Sequence, residues 1–143
     1  MDRDVIEQKI ESLRRCVERV RQKCPATADA LASDVDAQDI LTLNLTRAVQ
    51  LCVDIGAHLI AGRDNPAPDT MGQTFDVLAE LGVIPLELAV RMKKAVGFRN
   101  IAVHNYEAID WQIAHAIATR HMSDFVAFAT AVVDSTGIGN HSA

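Results

Sequence analysis

The residue types that can perform chemistry are concentrated in one short stretch, residues 97–106, with the sequence GFRNIAVHNY. Arg99 is a permanent cation whose planar donors match phosphate oxygens, and His104 can accept and donate a proton near neutral pH. Tyr106, the only tyrosine of the chain, follows two residues later. An arginine near an imidazole suits phosphodiester chemistry, so we predict the functional site here.

Helical geometry restricts how these side chains can meet. In a continuous helix Arg99 and Tyr106 share a face, but His104 lies about 140° from Arg99, at roughly 100° per residue. We therefore expect the helix to fray over residues 103–105, with Asn105 in the left-handed conformation that often closes helices. The three side chains would then converge at the helix C-terminus, where the helix dipole favours a protonated imidazole.

The pattern Arg-x4-His-x-Tyr resembles the motif of HEPN domains, and in particular of the HepT-like toxins of prokaryotic toxin–antitoxin modules. The segment from Asn44 to His58 is also similar to the long second helix of that family, and helix order and length agree over roughly residues 3–134. The resemblance implies an all-α fold, a HEPN-type antiparallel bundle of about five helices in a single domain. It also implies a homodimer that acts as a metal-independent endoribonuclease.

In such an enzyme Arg99 and His104 are the expected catalytic residues. His104 would deprotonate the ribose 2′-hydroxyl or protonate the leaving 5′-oxygen, and Arg99 would stabilise the transition-state charge. Asn100 would orient the phosphate or the imidazole. Asp54 is a further supporting candidate, because it can pair with His58 or hold Arg99 from another helix, although a structural ion pair is the simpler interpretation.

Tyr106 has two interpretations. The resemblance implies that a cognate antitoxin, a small nucleotidyltransferase of the MNT type, transfers AMP from ATP to this tyrosine and so neutralises the toxin. The simpler interpretation is a phenol that packs its ring and forms a local hydrogen bond. The rival function for the whole chain is a non-catalytic, helical substrate-binding partner of a small nucleotidyltransferase, which would not need the Arg/His pair.

Composition restricts the mode of RNA binding. The chain has a net charge of -5 and a pI near 5.4, so it does not coat nucleic acid by bulk charge and any RNA contact is local. Basic residues cluster in two places, for which a solvated surface is the simpler interpretation: Arg14, Arg15, Arg19, Arg21 and Lys23, then Arg91, Lys93 and Lys94. No base-reading element distinguishes a tRNA from an mRNA substrate, and no DNA cleavage is expected.

Other chemical classes lack their motifs. No glycine-rich phosphate loop or Cys-x-x-Cys pair is present, and His104 with Glu107 would give only two metal ligands. We therefore predict no cofactor and no metal site. The N-terminus has no apolar signal core and no apolar run approaches the length of a membrane span, which favours a cytoplasmic protein with no membrane partner.

Hydrophobic periodicity predicts helices over about 3–24, 36–61, 70–81, from Pro85 to the motif, and from Asp110 to about 132. The second of these is apolar nearly all round, which indicates a central helix or one covered by a second subunit. We expect one helical-bundle domain over residues 1–134 and a flexible tail over 135–143. The dimer interface is expected at the end of the fourth helix and part of the second.

Overall fold

The computed structural model describes residues 2–138, which form helices joined by short loops. Seven α-helices and one 3-10 turn follow one another in that range, which contains no strand. The α-helices are α1 (Arg3–Lys23), α2 (Ala28–Ala32), α3 (Val35–Ala61), α4 (Met71–Glu80), α5 (Leu86–His104), α6 (Trp111–Arg120) and α7 (Met122–Thr136), and the 3-10 turn is Tyr106–Ala108. The predicted all-α fold is confirmed.

Several helices begin at the polar residues that the sequence marks as caps. The side chains of Asp34, Thr70 and Asp110 accept hydrogen bonds from the first-turn N–H groups of α3, α4 and α6. Each such cap contributes about 1 kcal/mol. At α4 the Gln73 side chain also accepts a hydrogen bond from the N–H of Asp69, just before the cap, at 2.8 Å. Local sequence thus fixes where these helices start.

Helix α3 forms the centre of the bundle. It packs along α1 and also against α4 and α5. Its core face is fully buried and consists of Leu41, Leu45, Ala48, Cys52 and Ile55. At Gly56 an added Cβ would lie 2.5 Å from Thr74 Cγ2, so the glycine permits the close approach of α4. The predicted central role of this helix is confirmed.

The outer face of α3 is partly uncovered within one copy of the chain. Leu43 is 49% exposed, while Leu51 and Val53 are half-buried. We expected no segment with the length and apolarity of a membrane span, and this was wrong for α3. This helix has 27 residues, and a window of 18 of them has a mean hydropathy of 1.2. More than half of that window, 56%, is buried in the bundle, and the core helix of a globular domain has the same properties.

The single helix expected from Asp110 to about 132 is two helices. Helix α6 ends at Arg120, the next residue, His121, leaves the helical path with φ -118° and ψ 4°, and α7 starts at Met122. The break lets α7 turn back across the bundle, where Asp124 accepts a hydrogen bond from Arg91 Nε at 2.8 Å. Because apolar residues continue at helical spacing on both sides of His121, the sequence gives no sign of this change of direction.

The folded domain extends beyond the predicted boundary at residue 134. Helix α7 continues to Thr136, and Gly137 ends it with a positive φ of 73°. Ile138 is only 2% exposed, and Arg3 donates a hydrogen bond to the Thr136 carbonyl at 2.6 Å. The first residues of the predicted tail therefore belong to the bundle, and residues 139–143 lie outside the described part of the chain.

Candidate functional site

The Arg-to-His segment lies on an unbroken helix end. Helix α5 is continuous through His104, so the predicted fraying at Val103 is wrong. Asn105 caps the helix with φ -151° and ψ 63°, which is not the left-handed conformation we expected. Backbone hydrogen bonding from the Asn105 N–H to the Ile101 carbonyl at 2.8 Å keeps the last turn regular. Arg99 and His104 therefore remain about 140° apart around one helix axis.

Asn100 contacts Arg99 and lies on the same face of the helix as His104. Arg99 Nη1 donates a hydrogen bond to Asn100 Oδ1 at 3.1 Å. Asn100 and His104 are four residues apart on α5, which places them on one face of the helix. Arg99 is half-buried, whereas Asn100 and His104 are exposed. The arrangement presents a guanidinium, an amide and an imidazole to solvent along the last turns of α5.

Tyr106 lies beyond the helix end and is anchored on α3. Its phenol donates a hydrogen bond to Asp39 Oδ1 at 2.8 Å. The ring packs edge-on against Trp111, with centroids 5.9 Å apart. Burial raises the pKa of the Tyr106 phenol, and the hydrogen bond to the Asp39 carboxylate raises it further. The phenol is thus held neutral at one defined position, while 39% of the side chain stays exposed.

Thr42 lies beside this phenol, one helical turn after Asp39. Its hydroxyl acts to lower the Tyr106 pKa, but burial and the Asp39 hydrogen bond, which both raise that pKa, have larger effects. The Thr42 Oγ1 atom is nevertheless buried and has no hydrogen-bond partner within residues 2–138. A buried hydroxyl left in this way costs stability. Tyr106 therefore sits over a polar patch on an otherwise apolar helix.

Asp54, the remaining predicted site residue, lies elsewhere. Its carboxylate accepts hydrogen bonds from Gln50 Nε2 at 2.9 Å and from Lys9 Nζ at 3.5 Å. The expected pairing of Asp54 with Arg99 or His58 is therefore wrong. The observed contacts join α1 to α3, which is the structural role that the sequence offered as the simpler interpretation.

The structure adds Asp39 and Thr42 to the residues around the site. The sequence gives little indication of their role, since each is a polar residue on a helix with a strong apolar pattern. Only the packing of the turn after α5 against α3 brings them to Tyr106. No three side chains of the His, Cys, Asp and Glu types converge as a set of metal ligands among residues 2–138.

Exposed apolar side chains lie on the last turns of α5 and on α3. Ile101 is 45% exposed and Val103 is 50% exposed, both on the same helix turns as His104. Leu43 on α3 is 49% exposed. Large apolar side chains beside polar functional groups are typical of a surface that another protein covers.

Comparison with known proteins identifies the family to which the chain is similar. Residues 6–132 match the family described as ribonuclease HepT-like. An mRNA nuclease HepT from Shewanella oneidensis is 33% identical over 125 residues, which cover 87% of this chain and 93% of the relative. A tRNA nuclease HepT from Aphanizomenon flos-aquae is 26% identical over 106 residues, or 74% of this chain and 72% of the relative.

A solved structure extends the similarity to three dimensions. A tri-AMPylated Shewanella oneidensis HEPN toxin, determined in complex with an MNT antitoxin, superposes with a TM-score of 0.85 at 32% identity. The match covers 94% of this chain and 99% of that toxin. Because the family match spans nearly the whole bundle and a nuclease relative aligns over almost its full length, the chain belongs to the HepT-like ribonuclease family.

Proposed function

We propose that this protein is the toxin of a prokaryotic toxin–antitoxin module and cleaves RNA with Arg99 and His104 in a site shared by two copies of the chain. The observation that carries the proposal is the pair itself, displayed with Asn100 on the exposed end of α5. Family membership supports the ribonuclease chemistry. The relatives are named for mRNA and for tRNA, so the proposed substrate class is RNA.

The reaction needs one base, one acid and one group that stabilises charge. One His104 takes the proton of a ribose 2′-hydroxyl, whose oxygen forms a bond to the adjacent phosphorus. The bond between phosphorus and the 5′-oxygen breaks, and a second His104 gives that oxygen a proton. Arg99 stabilises the additional negative charge on the phosphoryl oxygens. The products are a 2′,3′-cyclic phosphate and a free 5′-hydroxyl.

The separation of Arg99 and His104 supports a dimer. Side chains about 140° apart on one unbroken helix do not both point at one phosphate from the same protomer without a long reach by the arginine. A two-fold axis beside the end of α5 would bring two copies of each residue into one cleft. The exposed Ile101 and Val103 provide apolar surface for that interface. Sedimentation should give twice the chain mass, and a monomer at micromolar concentration would refute the shared site.

The nuclease assignment is tested on purified protein. Cleavage should persist in EDTA, spare DNA and leave a 2′,3′-cyclic phosphate. Arg99→Ala and His104→Ala should each slow cleavage by about two orders of magnitude or more, the usual effect of removing one proton-transfer or electrostatic group. Arg63→Ala and His121→Ala are the matched controls, because both side chains are exposed and lie outside the segment. A folded His104→Ala protein that cleaves like wild type would refute the assignment.

We further propose that an MNT-type transferase adenylylates Tyr106. The phenol oxygen would attack the α-phosphorus of ATP, the bond to pyrophosphate would break, and the phenolic proton would pass to a base. The attached phosphate is anionic, so it would be repelled by the Asp39 carboxylate that now accepts the phenol hydrogen bond. The modified side chain would leave α3 and bring its phosphate toward Arg99, where it would occupy the position of the substrate phosphate.

The modification has a direct test because the chain contains a single tyrosine. Incubation with the cognate transferase, Mg²⁺ and ATP should add adenylyl mass to the peptide that contains Tyr106, and Tyr106→Phe should abolish it. Modification of another peptide, or none with an active transferase, would leave complex formation as the means of neutralisation. The wild-type toxin should stop growth when expressed alone, and His104→Ala should relieve that arrest.

A further inference from the structure

A groove between α1 and α3 carries a second chemical pattern that the catalytic site does not use. It is lined by one face of each helix and has a volume of about 640 Å³. The α1 wall consists of Ser12, Arg15, Cys16 and Arg19, and the α3 wall consists of Ile40, Leu43, Asn44, Arg47, Gln50 and Leu51. The spacing of three and four residues on both walls means that each helix presents one continuous face.

Three arginines give this groove its charge. Arg15, Arg19 and Arg47 are all exposed, and no aspartate or glutamate is among the lining residues. Within residues 2–138 none of the three takes part in a salt bridge, in contrast to Arg14, which pairs with Glu11. The groove is thus a local concentration of uncompensated positive charge on a chain whose net charge is -5.

Arginines line both walls of the groove. Burial raises the pKa of the Cys16 thiol, and the charges of Arg47 and Arg15 both act on it in the opposite direction. Arg15 on α1 and Arg47 on α3 therefore both lie near this thiol. Like charges on the two walls of one groove repel each other, and an anion between them reduces that repulsion.

The carboxylate at one end of the groove is already neutralised. Asp54 is bound by Lys9 and by Gln50, and Gln50 is itself a lining residue. The other end lies near the start of α3, because Ile40 lines the groove and directly follows Asp39, which accepts the hydrogen bond from the Tyr106 phenol. The groove and the contact that anchors Tyr106 therefore share the first turns of α3.

We propose that this groove binds the phosphate backbone of single-stranded RNA through Arg15, Arg19 and Arg47. Guanidinium groups bind phosphate oxygens in pairs of parallel hydrogen bonds, and they do so without reading sequence. A second copy of the chain would present the same positive groove, so charge disfavours self-association on this surface. That the bound anion is the RNA substrate rests on the proposed ribonuclease function. The proposal gives Arg15 and Arg19 a function, where the sequence indicated only a solvated helix face.

The test compares two triple variants with equal loss of charge. The groove variant is Arg15→Gln, Arg19→Gln and Arg47→Gln, and the control is Arg14→Gln, Arg21→Gln and Arg63→Gln, which are exposed and do not line the groove. Both are made in the His104→Ala background, so that a fluorescent single-stranded RNA is bound without being cut. Fluorescence anisotropy is measured over a range of salt concentrations.

The expected result follows from counterion release. Each phosphate contact contributes about 0.7 to the slope of log K against log salt for single strands, so the groove variant should lose about 2 units of slope. Its affinity at low salt should fall about tenfold or more, and the control should stay close to the His104→Ala parent. With His104 intact, the groove variant should cleave long RNA more slowly yet cleave a dinucleotide at the wild-type rate.

Two outcomes would overturn the proposal. One is equal affinity and slope in the groove and control variants. The other is a loss of RNA affinity accompanied by a change in sedimenting mass, which would make the groove a contact between copies of the chain. If wild-type protein binds RNA through the groove but cleaves none, the inference stands and the proposed nuclease function fails. If the groove variant binds and cleaves long RNA like wild type, the nuclease function stands and the inference fails.

Discussion

The hydrogen bond that anchors Tyr106 on α3 should have a measurable coupling energy. The Tyr106 Oη atom lies 2.8 Å from Asp39 Oδ1. A hydrogen bond to a charged group contributes about 1.5–3 kcal/mol when it is shielded from water. Here Asp39 is exposed and Tyr106 is 39% exposed, so we expect about 1 kcal/mol after solvent competition.

The assay is a double-mutant cycle of Asp39→Ala and Tyr106→Phe, measured by urea unfolding. Each single variant should lose about 1 kcal/mol, and the double variant should lose little more than either one, because the second change finds the bond already absent. Additivity within about 0.3 kcal/mol would refute the bond as an energetic contact. The ring contact with Trp111 does not enter the cycle, since every variant keeps an aromatic ring at position 106.

The same bond predicts a pH dependence. Burial and the Asp39 hydrogen bond raise the pKa of the Tyr106 phenol, in that order of size. A raised pKa of an acid means that the folded state holds its proton more tightly than the unfolded state. The associated stability is therefore complete below the ordinary phenol pKa and is lost as the pH rises through the folded-state value. With one tyrosine in the chain, phenolate absorbance should titrate above an ordinary phenol, and Asp39→Asn should lower the midpoint. An unchanged midpoint would contradict the hydrogen bond.

Further predictions concern the scaffold and are measured by chemical denaturation. Gly56→Ala should destabilise the fold by roughly 1–3 kcal/mol, because its Cβ would lie 2.5 Å from Thr74 Cγ2, whereas Gly72→Ala has no contact shorter than 3.7 Å and serves as its control. Phe128→Ala should cost about 3–5 kcal/mol, since the ring is fully buried. A chain that ends at Ser135 should be less stable by about 2–3 kcal/mol than one that ends at Ile138, which retains that buried side chain; equal stability would restore the predicted tail boundary.

The elements with strong local signals were predictable from the sequence. Helices α1, α3 and α4 follow their apolar spacing and begin at polar caps, such as Asp34 and Thr70, whose side chains bind the first N–H groups. The Arg-to-Tyr motif, recognisable from residue types and spacing alone, marks the end of α5 as the region of the candidate site. The roles of Arg99, Asn100 and His104 remain predictions that the proposed variants test.

Features that depend on tertiary contacts were not predictable. The break at His121 has no proline or glycine, and the helix beyond it, α7, packs against α1, α3 and α5. The Asp39 partner of Tyr106 lies 67 residues earlier in the chain, a separation at which periodicity carries no information. The frayed end expected for α5 was wrong because regular backbone bonding to Ile101 holds the last turn.

Only one wall of the arginine groove could be predicted from the helical pattern of α1. Cys16 is 6% exposed and faces the core side of α1, and Arg15 and Arg19 are its immediate neighbour and its neighbour one turn onward. Long charged side chains that border a buried stripe lay their apolar stems along neighbouring apolar surface and keep their charged ends in water. When the adjacent helix carries another arginine and no acid on the same face, the charges have no internal partner. The sequence alone could not pair the two helices in register, so it could not show that Arg47 completes the set.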